Sequence, residues 1–225
     1  VGTSGWMYGW NREGNLDWYV VNSGLNAIEL NASFYRFLFP SQAKGWRKKG
    51  EGLRWAVKVH RSITHFSKFK DKAYERWKSM KRIFSFLDDI IDFYLFQLPP
   101  SFSPSKKKEI EKFFKYTGLG ERFALEPRET SWWDKENIEW AKRVGITWVS
   151  VDAPELPKEI VSIHGIIYLR MHGRTAWYSH YYTDKELKEI CKRIVSLSPN
   201  KVYVFFNNDH AMLENAQRML KFLLS

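Results

Sequence analysis

Ile166-Ile167-Tyr168-Leu169-Arg170-Met171-His172-Gly173 alternates between two kinds of side chain and then breaks at a glycine. Successive side chains of an extended chain point to opposite faces, so Ile167, Leu169 and Met171 share one face and Tyr168, Arg170 and His172 the other. A purely apolar face suits packing against helices, and a face that becomes charged toward its C-terminal end suits the mouth of a parallel barrel. Short apolar runs ending in polar residues recur along the chain, at Val1–Thr3, Ala27–Leu30, Arg54–Val59, Phe93–Gln97, Arg122–Glu126, Thr147–Val151, Ile166–Arg170 and Val202–Phe206. The parity recurs as well. Ile28 and Leu30 oppose Ala27, Glu29 and Asn31, while Trp55, Val57 and Val59 oppose Ala56, Lys58 and His60. Phe123 and Leu125 oppose Ala124, Glu126 and Arg128, and Val149 and Val151 oppose Ser150 and Asp152. Each of these strands has one apolar face, and its other face turns polar toward the C-terminal end.

Helical patterns fill the intervals. Tyr74, Trp77, Met80, Phe84, Leu87 and Ile91 repeat at three and four residues, which predicts one long amphipathic helix. Ala211–Leu224 reads as another. Ser131-Trp132-Trp133-Asp134 and Thr183-Asp184-Lys185-Glu186 have the spacing of a capping box, and Ser103-Pro104 places a cap before a first-turn proline. The connection from Asp152 to His164 carries Pro154 and Pro157 and is too short for a full helix. Eight strands alternating with about seven helices predict an α/β fold, a single (β/α)8 TIM-type barrel over residues 1–225, short and with reduced helices. An open doubly wound sheet is the structural alternative.

Composition narrows the classes. Of 225 residues, 44% are hydrophobic and 27% charged, a globular balance. One cysteine, Cys191, leaves no disulfide framework, CxxC motif or cysteine-rich zinc site, and it falls on the apolar face of a helix. No apolar run reaches membrane-spanning length and no signal or transit pattern is visible at Val1, so the expectation is a soluble, cytoplasmic domain with no membrane partner. Few glutamines (Gln42, Gln97 and Gln217) beside abundant Lys and Arg fit a thermophilic source. The formal charge of +11 reads either as solvated helix faces, such as Lys106-Lys107-Lys108, or as the footprint of an anionic partner, nucleic acid included.

In a barrel the strand ends converge on one mouth. Glu29, Glu126, Asp152 and His172 are then the candidate catalytic groups, and Glu126 with Arg128 two residues on is the foremost. Asn31, Tyr35, Arg36, Lys58, His60, Gln97, Arg128, Trp132, Arg170, Asn207, Asn208 and Asp209 are the candidate substrate contacts. A structural ion-pair network closing the barrel is the competing reading of the same charges. Phe34-Tyr35-Arg36 offers faces for a sugar ring or base, or packing beneath a loop, and Trp132 and Trp133 line the mouth or anchor a helix. Glu29, Glu126, Asp152 and His172 also have the donor types for Mg²⁺, Mn²⁺ or Zn²⁺, although neither HExxH nor a tight His/Cys cluster is present. His164 and His180 read as surface or loop residues and His210 as a helix-start residue.

The ordered blocks Gly2-Thr3-Ser4-Gly5-Trp6, Glu29-Leu30-Asn31-Ala32-Ser33-Phe34-Tyr35-Arg36, Lys58 with Ile63-Thr64-His65, and Phe96-Gln97-Leu98-Pro99-Pro100-Ser101-Phe102 resemble the DUF72 (YecE-like) family. Glu126-Pro127-Arg128 with Ser131-Trp132, Asp152-Ala153-Pro154, Tyr168–Gly173, Phe205–Asp209 and Asn215-Ala216 extend the resemblance over essentially the whole chain. Pro127 departs from it, standing where the family pattern favours Phe. The resemblance implies a TIM-type barrel and a site at its mouth, but the family has no settled activity to carry over.

For function, the leading expectation is a hydrolase acting on a phosphate-bearing substrate, with nucleic acid among the candidates. Lys58, Arg128 and Arg170 would neutralise phosphate, the three carboxylates would hold a metal or activate water, and His172 would move a proton. A carbohydrate hydrolase or isomerase using Glu29 and Glu126, and a non-catalytic nucleic-acid-binding protein, are the alternatives. Oligomeric state is not legible.

Overall fold

The computed structural model describes residues 1–225. Strands β1 (Gly2–Ser4), β2 (Ala27–Leu30), β3 (Arg54–Lys58), β4 (Ile91–Gln97), β5 (Phe123–Glu126), β6 (Thr147–Asp152), β7 (Ile166–Met171) and β8 (Lys201–Phe206) form a closed barrel in chain order. All neighbouring pairs are parallel, and Gly2 and Thr3 of β1 pair with Phe205 and Phe206 of β8. That closure excludes the open sheet.

The helices are α1 (Leu16–Asn22), α2 (Ala32–Tyr35), α3 (Pro40–Lys49), α4 (Lys72–Phe84), α5 (Lys107–Thr117), α6 (Lys135–Val144), α7 (Asp184–Ser196) and α8 (Met212–Leu224). As the prolines of that connection predict, no helix intervenes between β6 and β7. None of the helices is long and apolar enough to cross a membrane. Thr183 forms the expected capping box, its Oγ1 accepting from the Glu186 N–H while Glu186 accepts from the Thr183 N–H. Ser131 does not cap α6. It sits in a 3-10 turn capped by the Glu129 carboxylate, and Asp134 is the residue that precedes α6. Helix α4 ends at Phe84, short of the predicted Ile91. Asp88 in the following turn accepts from Lys81, Tyr94 and Arg122, which turns the chain so that Ile91 opens β4.

Two apolar layers follow from strand parity. Fifty-six buried residues pack between sheet and helices, Ile28, Leu30, Trp55, Val57, Phe123, Leu125, Ile167, Leu169 and Met171 among them. Nine fill the barrel: Ala27, Ala56, Phe93, Leu95, Ala124, Val149, Ile166, Tyr168 and Phe205. Three alanines make room for aromatic rings, with Phe93–Tyr168 and Tyr168–Phe205 centroids each 5.3 Å apart. Small residues facing large ones fill a narrow barrel without voids.

Strand β6 reverses the expected parity. Val149 and Val151 pair in register with Tyr168 and Arg170, which face inward, so the two valines point into the barrel and Ser150 and Asp152 point out. The Ser150 hydroxyl accepts the Val161 N–H of the helix-free connection. The outer face of this strand is shared between helix α6, against which it packs, and the loop backbone that Ser150 holds.

Gly2 meets a tight constraint, because a Cβ there would lie 2.2 Å from the Ala27 carbonyl oxygen across the β1–β2 pair. Gly2→Ala should therefore lower stability by about 1–3 kcal/mol, the cost of overpacking a rigid neighbour. Urea unfolding of the two proteins checks this, and equal midpoints would contradict it.

Candidate functional site

Strand parity sends Ser4, Glu29, Lys58, Gln97, Glu126, Arg170, His172 and Asn207 inward at the C-terminal ends. Arg170 is fully buried and joins two carboxylates, donating from Nη2 to Glu29 at 2.6 Å and from Nη1 to Glu126 at 2.6 Å. Glu29 also accepts from the Ser4 hydroxyl at 2.6 Å and from Tyr168 Oη at 2.6 Å. Glu126 accepts a second charge-assisted bond from Arg128 Nε. Burial pushes the Glu126 carboxyl up, but the Arg128 and Arg170 charges outweigh it and hold the group well below the usual carboxylate range. The oxygens of both glutamates are thus occupied by Arg170 and its neighbours.

His172 completes this layer. Its Nε2 lies 3.1 Å from Arg128 Nη2, and its Nδ1 lies 3.2 Å from the Asn207 side-chain amide. Arginine can only donate, so Nε2 carries the lone pair and Nδ1 the proton, which turns the Asn207 amide oxygen toward Nδ1. Burial and then the Arg170 and Arg128 charges hold His172 well below its ordinary value, so it is neutral. Its role in this arrangement is to orient Arg128, whose guanidinium also lies 4.6 Å from the Trp177 ring centroid.

Lys58 differs from the other inward cations. It is 7% exposed, and its ammonium has neither a carboxylate partner nor a hydrogen bond, lying 4.0 Å from the Phe34 ring centroid. Its backbone carbonyl is fixed by the Ser33 hydroxyl at 2.6 Å. Burial, then the Arg170 charge, lowers the Lys58 amine to about 7, with Arg128 adding to the shift and Glu126 and Glu29 opposing it. Nearby His65 is lowered to about 4, by burial and then by the Lys58 and Arg128 charges.

Above Lys58 opens a cavity of about 290 Å³ lined by Tyr8, Asn31, Tyr35, Lys58, Tyr178, Asn207 and Asp209. Asn31 donates to the Ser4 carbonyl at 3.3 Å, while its Oδ1 is buried without a partner. Burial and then the Asp209 charge raise the Tyr8 hydroxyl. Asp209 itself holds the left-handed backbone region at φ 56°. The loop after β7 covers one side, with Gly173 at φ 118°, where a Cβ would meet the Ala176 carbonyl at 2.4 Å. That close approach folds Trp177 and Tyr178 back over His172, at centroid distances of 5.5 and 5.3 Å.

Several expected residues lie elsewhere. Asp152, outward on β6, accepts from Tyr182 Oη at 2.9 Å and from Arg174 Nε at 3.1 Å. Asn208 also faces outward, donating to His180 O at 2.6 Å and Asn215 Oδ1 at 2.8 Å, which ties the β8 exit to α8. Trp132 is fully buried in the helix layer and donates to the Phe102 carbonyl at 2.6 Å, so it anchors rather than lines the mouth. His60 turns away to Ser62 Oγ at 2.8 Å and to the Phe37 ring. Arg36 borders a separate depression with Trp6, Met7 and Trp46. Gln97 stands beside Glu126 in the sheet register but does not line the cavity. The proposed metal donors do not converge: Asp152 lies on the far face, both glutamates are held by Arg170, and no group of three or more His, Cys, Asp or Glu is placed to hold a metal ion. Tyr8, Trp177 and Tyr178 went unpredicted, although an aromatic pair just beyond the Gly173 strand exit is a readable signal.

The family described as "Protein of unknown function DUF72" matches residues 1–224. Two crystal structures of a DUF72 family protein from Enterococcus faecalis match all of this chain and 94% and 96% of theirs, at 20% and 21% identity and TM-scores of 0.83 and 0.81. A DUF72 family protein from Thermotoga maritima matches all of this chain and 98% of its own, at 26% identity and a TM-score of 0.81. No curated protein matches.

Two stability outcomes follow from these charges. Arg170→Met strands two buried carboxylates and should cost about 3–5 kcal/mol, read by denaturant unfolding. Lys58→Met should instead stabilise by about 1–3 kcal/mol at pH 6, because a desolvated ammonium without a counter-ion is removed. Below about 7 the folded and unfolded chains both carry the Lys58 proton and its burial cost is complete. Between there and the ordinary lysine value of 10.5 the folded chain binds fewer protons, so wild-type stability rises with pH and the variant's advantage shrinks. A melting-temperature difference that stays constant from pH 6 to about 10 would contradict this.

Proposed function

This chain belongs to the DUF72 family, and from that premise we propose that its barrel mouth is the active site of an enzyme acting on a small, hydroxylated, phosphate-bearing molecule. The observation that carries this reading is the ammonium of Lys58, buried without a counter-ion at a cavity of about 290 Å³. A buried cation is costly unless something neutralises it, and a ligand phosphate is the missing anion. Arg128 stands beside this position, held in place by Glu126, His172 and Trp177. The tyrosine hydroxyls and the Asn31 and Asn207 amides that line the cavity suit ligand hydroxyls.

The chemistry this arrangement favours is proton transfer at Lys58, whose amine sits near neutrality where a group serves equally as acid and base. Glu29 and Glu126 support it indirectly. Their oxygens are occupied by Arg170 and its neighbours, so they orient cations in preference to activating water or acting as an acid–base pair on a glycoside. The cavity volume also favours a single small ligand over a length of nucleic acid, of which one nucleotide at most would enter.

Titration with ribose 5-phosphate by calorimetry tests this reading. Lys58→Met should weaken binding by at least about tenfold, the loss of one charge-assisted contact. The exposed Lys108→Met should leave binding unchanged. Equal affinity for wild type and Lys58→Met would overturn the reading.

A further inference from the structure

We propose that Lys58 is a nucleophile whose Nζ condenses with the carbonyl carbon of an aldehyde or ketone ligand to form a covalent imine. This deepens the preceding reading and rests on it, since the phosphate would hold the carbonyl over the amine.

Three features of the cavity converge on this step. First, Nζ is committed to nothing: it lies 4.0 Å from the Phe34 ring centroid and, although Lys58 lines the cavity, it makes no hydrogen bond or ion pair. A lysine kept only for structure at this depth would be paired, as Arg170 and Arg128 are. Second, those two guanidiniums are permanent cations, and their field favours the free amine that attacks a carbonyl. The same field acts on the iminium product and keeps it electrophilic. Third, the cavity has one lining carboxylate, Asp209. Its left-handed backbone, at φ 56°, is a conformation that non-glycine residues seldom adopt and that clusters at functional sites. Its partner inside the protein is an exposed histidine, His210, at 3.4 Å, which leaves the carboxylate open to the cavity.

The step balances without an external reagent. The resting ammonium, which has no carboxylate within ion-pair distance, gives one proton to Asp209 through a cavity water, and the freed nitrogen pair forms a bond to the carbonyl carbon as the C=O π pair moves to oxygen. That oxygen takes a proton from the nitrogen and then the proton held by Asp209, and leaves as water. The remaining nitrogen pair closes the C=N⁺ bond. Ammonium and carbonyl thus become iminium and water, with no change in oxidation state.

Borohydride trapping tests this directly on the wild-type protein. It is incubated with glyceraldehyde 3-phosphate or with unphosphorylated glyceraldehyde, then treated with sodium borohydride, which reduces an imine to a stable secondary amine. Peptide mass spectrometry should find Lys58 carrying the aldehyde less one oxygen atom. Half-maximal labelling should occur at a concentration at least about tenfold lower for the phosphorylated aldehyde, and inorganic phosphate should compete. Labelling should be absent when borohydride is omitted. Asp209→Asn should slow trapping at saturating glyceraldehyde 3-phosphate at least about tenfold and Asp209→Glu should restore part of the rate, a rescue that a purely structural role would not produce; trapping at the wild-type rate in Asp209→Asn would remove Asp209 from the step. If Lys58 is labelled no faster than exposed Lys108 while ribose 5-phosphate binding still depends on Lys58, the imine is refuted and the anion site stands. If neither labelling nor phosphate binding depends on Lys58, both fall. Because the decisive labelling is mapped on the wild type, no variant needs to fold for the proposal to fail.

Discussion

Arg170 sits at the centre of the barrel mouth with two carboxylates on it, and most of the polar architecture follows from that one residue. Its guanidinium is planar with donors on two edges, so it holds Glu29 from β2 and Glu126 from β5 across the barrel at once. Ions this deep lose their hydration, and only complete pairing makes their burial tolerable. Ser4 and Tyr168 satisfy further lone pairs of Glu29, while Arg128 completes Glu126. Strands that are far apart around the sheet are thereby fixed to one point. Tyr168 also links the layers, since its ring packs among Phe93 and Phe205 in the apolar interior and its hydroxyl donates upward.

The same pairing explains why Lys58 stands apart. Two glutamates are matched by two arginines, and the third cation of the layer has no carboxylate within ion-pair distance. A fold under selection for stability alone has simple remedies at this position, because an apolar residue of similar length would fill the space against Phe34. Retaining the amine there costs stability below neutral pH, and that cost is what the proposed ligand-binding role accounts for. The loop after β7 completes the setting. Gly173 lets the chain fold tightly, and Trp177 and Tyr178 then shield His172 and Arg128 from solvent.

The eight strands were legible from apolar runs alone, each within two residues of its observed bounds. Inward faces were also legible on β2, β3, β5 and β7, whose outer residues belong to the larger apolar layer. On β6 the pattern misleads, because part of the outer face meets loop backbone and places the Ser150 hydroxyl against the Val161 N–H. Reading Val149 and Val151 as outward therefore placed Asp152 at the mouth, when it belongs with Arg174 and Tyr182. Asn208 and Trp132 were misplaced for related reasons: polarity near a strand end, or an aromatic pair near a mouth, does not report which way a side chain turns.

Residue pattern by itself determined the eight strands and favoured a parallel barrel over an open sheet, and it gave the C-terminal end as the place where charges gather and the membership of Glu29, Lys58, Glu126, Arg170 and His172 in that cluster. Periodicity is a local property of the chain, and one buried face per strand is enough to reveal it. Tertiary structure alone decided which charges neutralise one another. Glu29 and Arg170 are 141 residues apart in sequence, and nothing local to either says that their bond leaves Lys58 without a partner. Pairing depends on distances of a few ångströms set by barrel closure, and those distances separate a structural ion pair from a free amine facing a cavity.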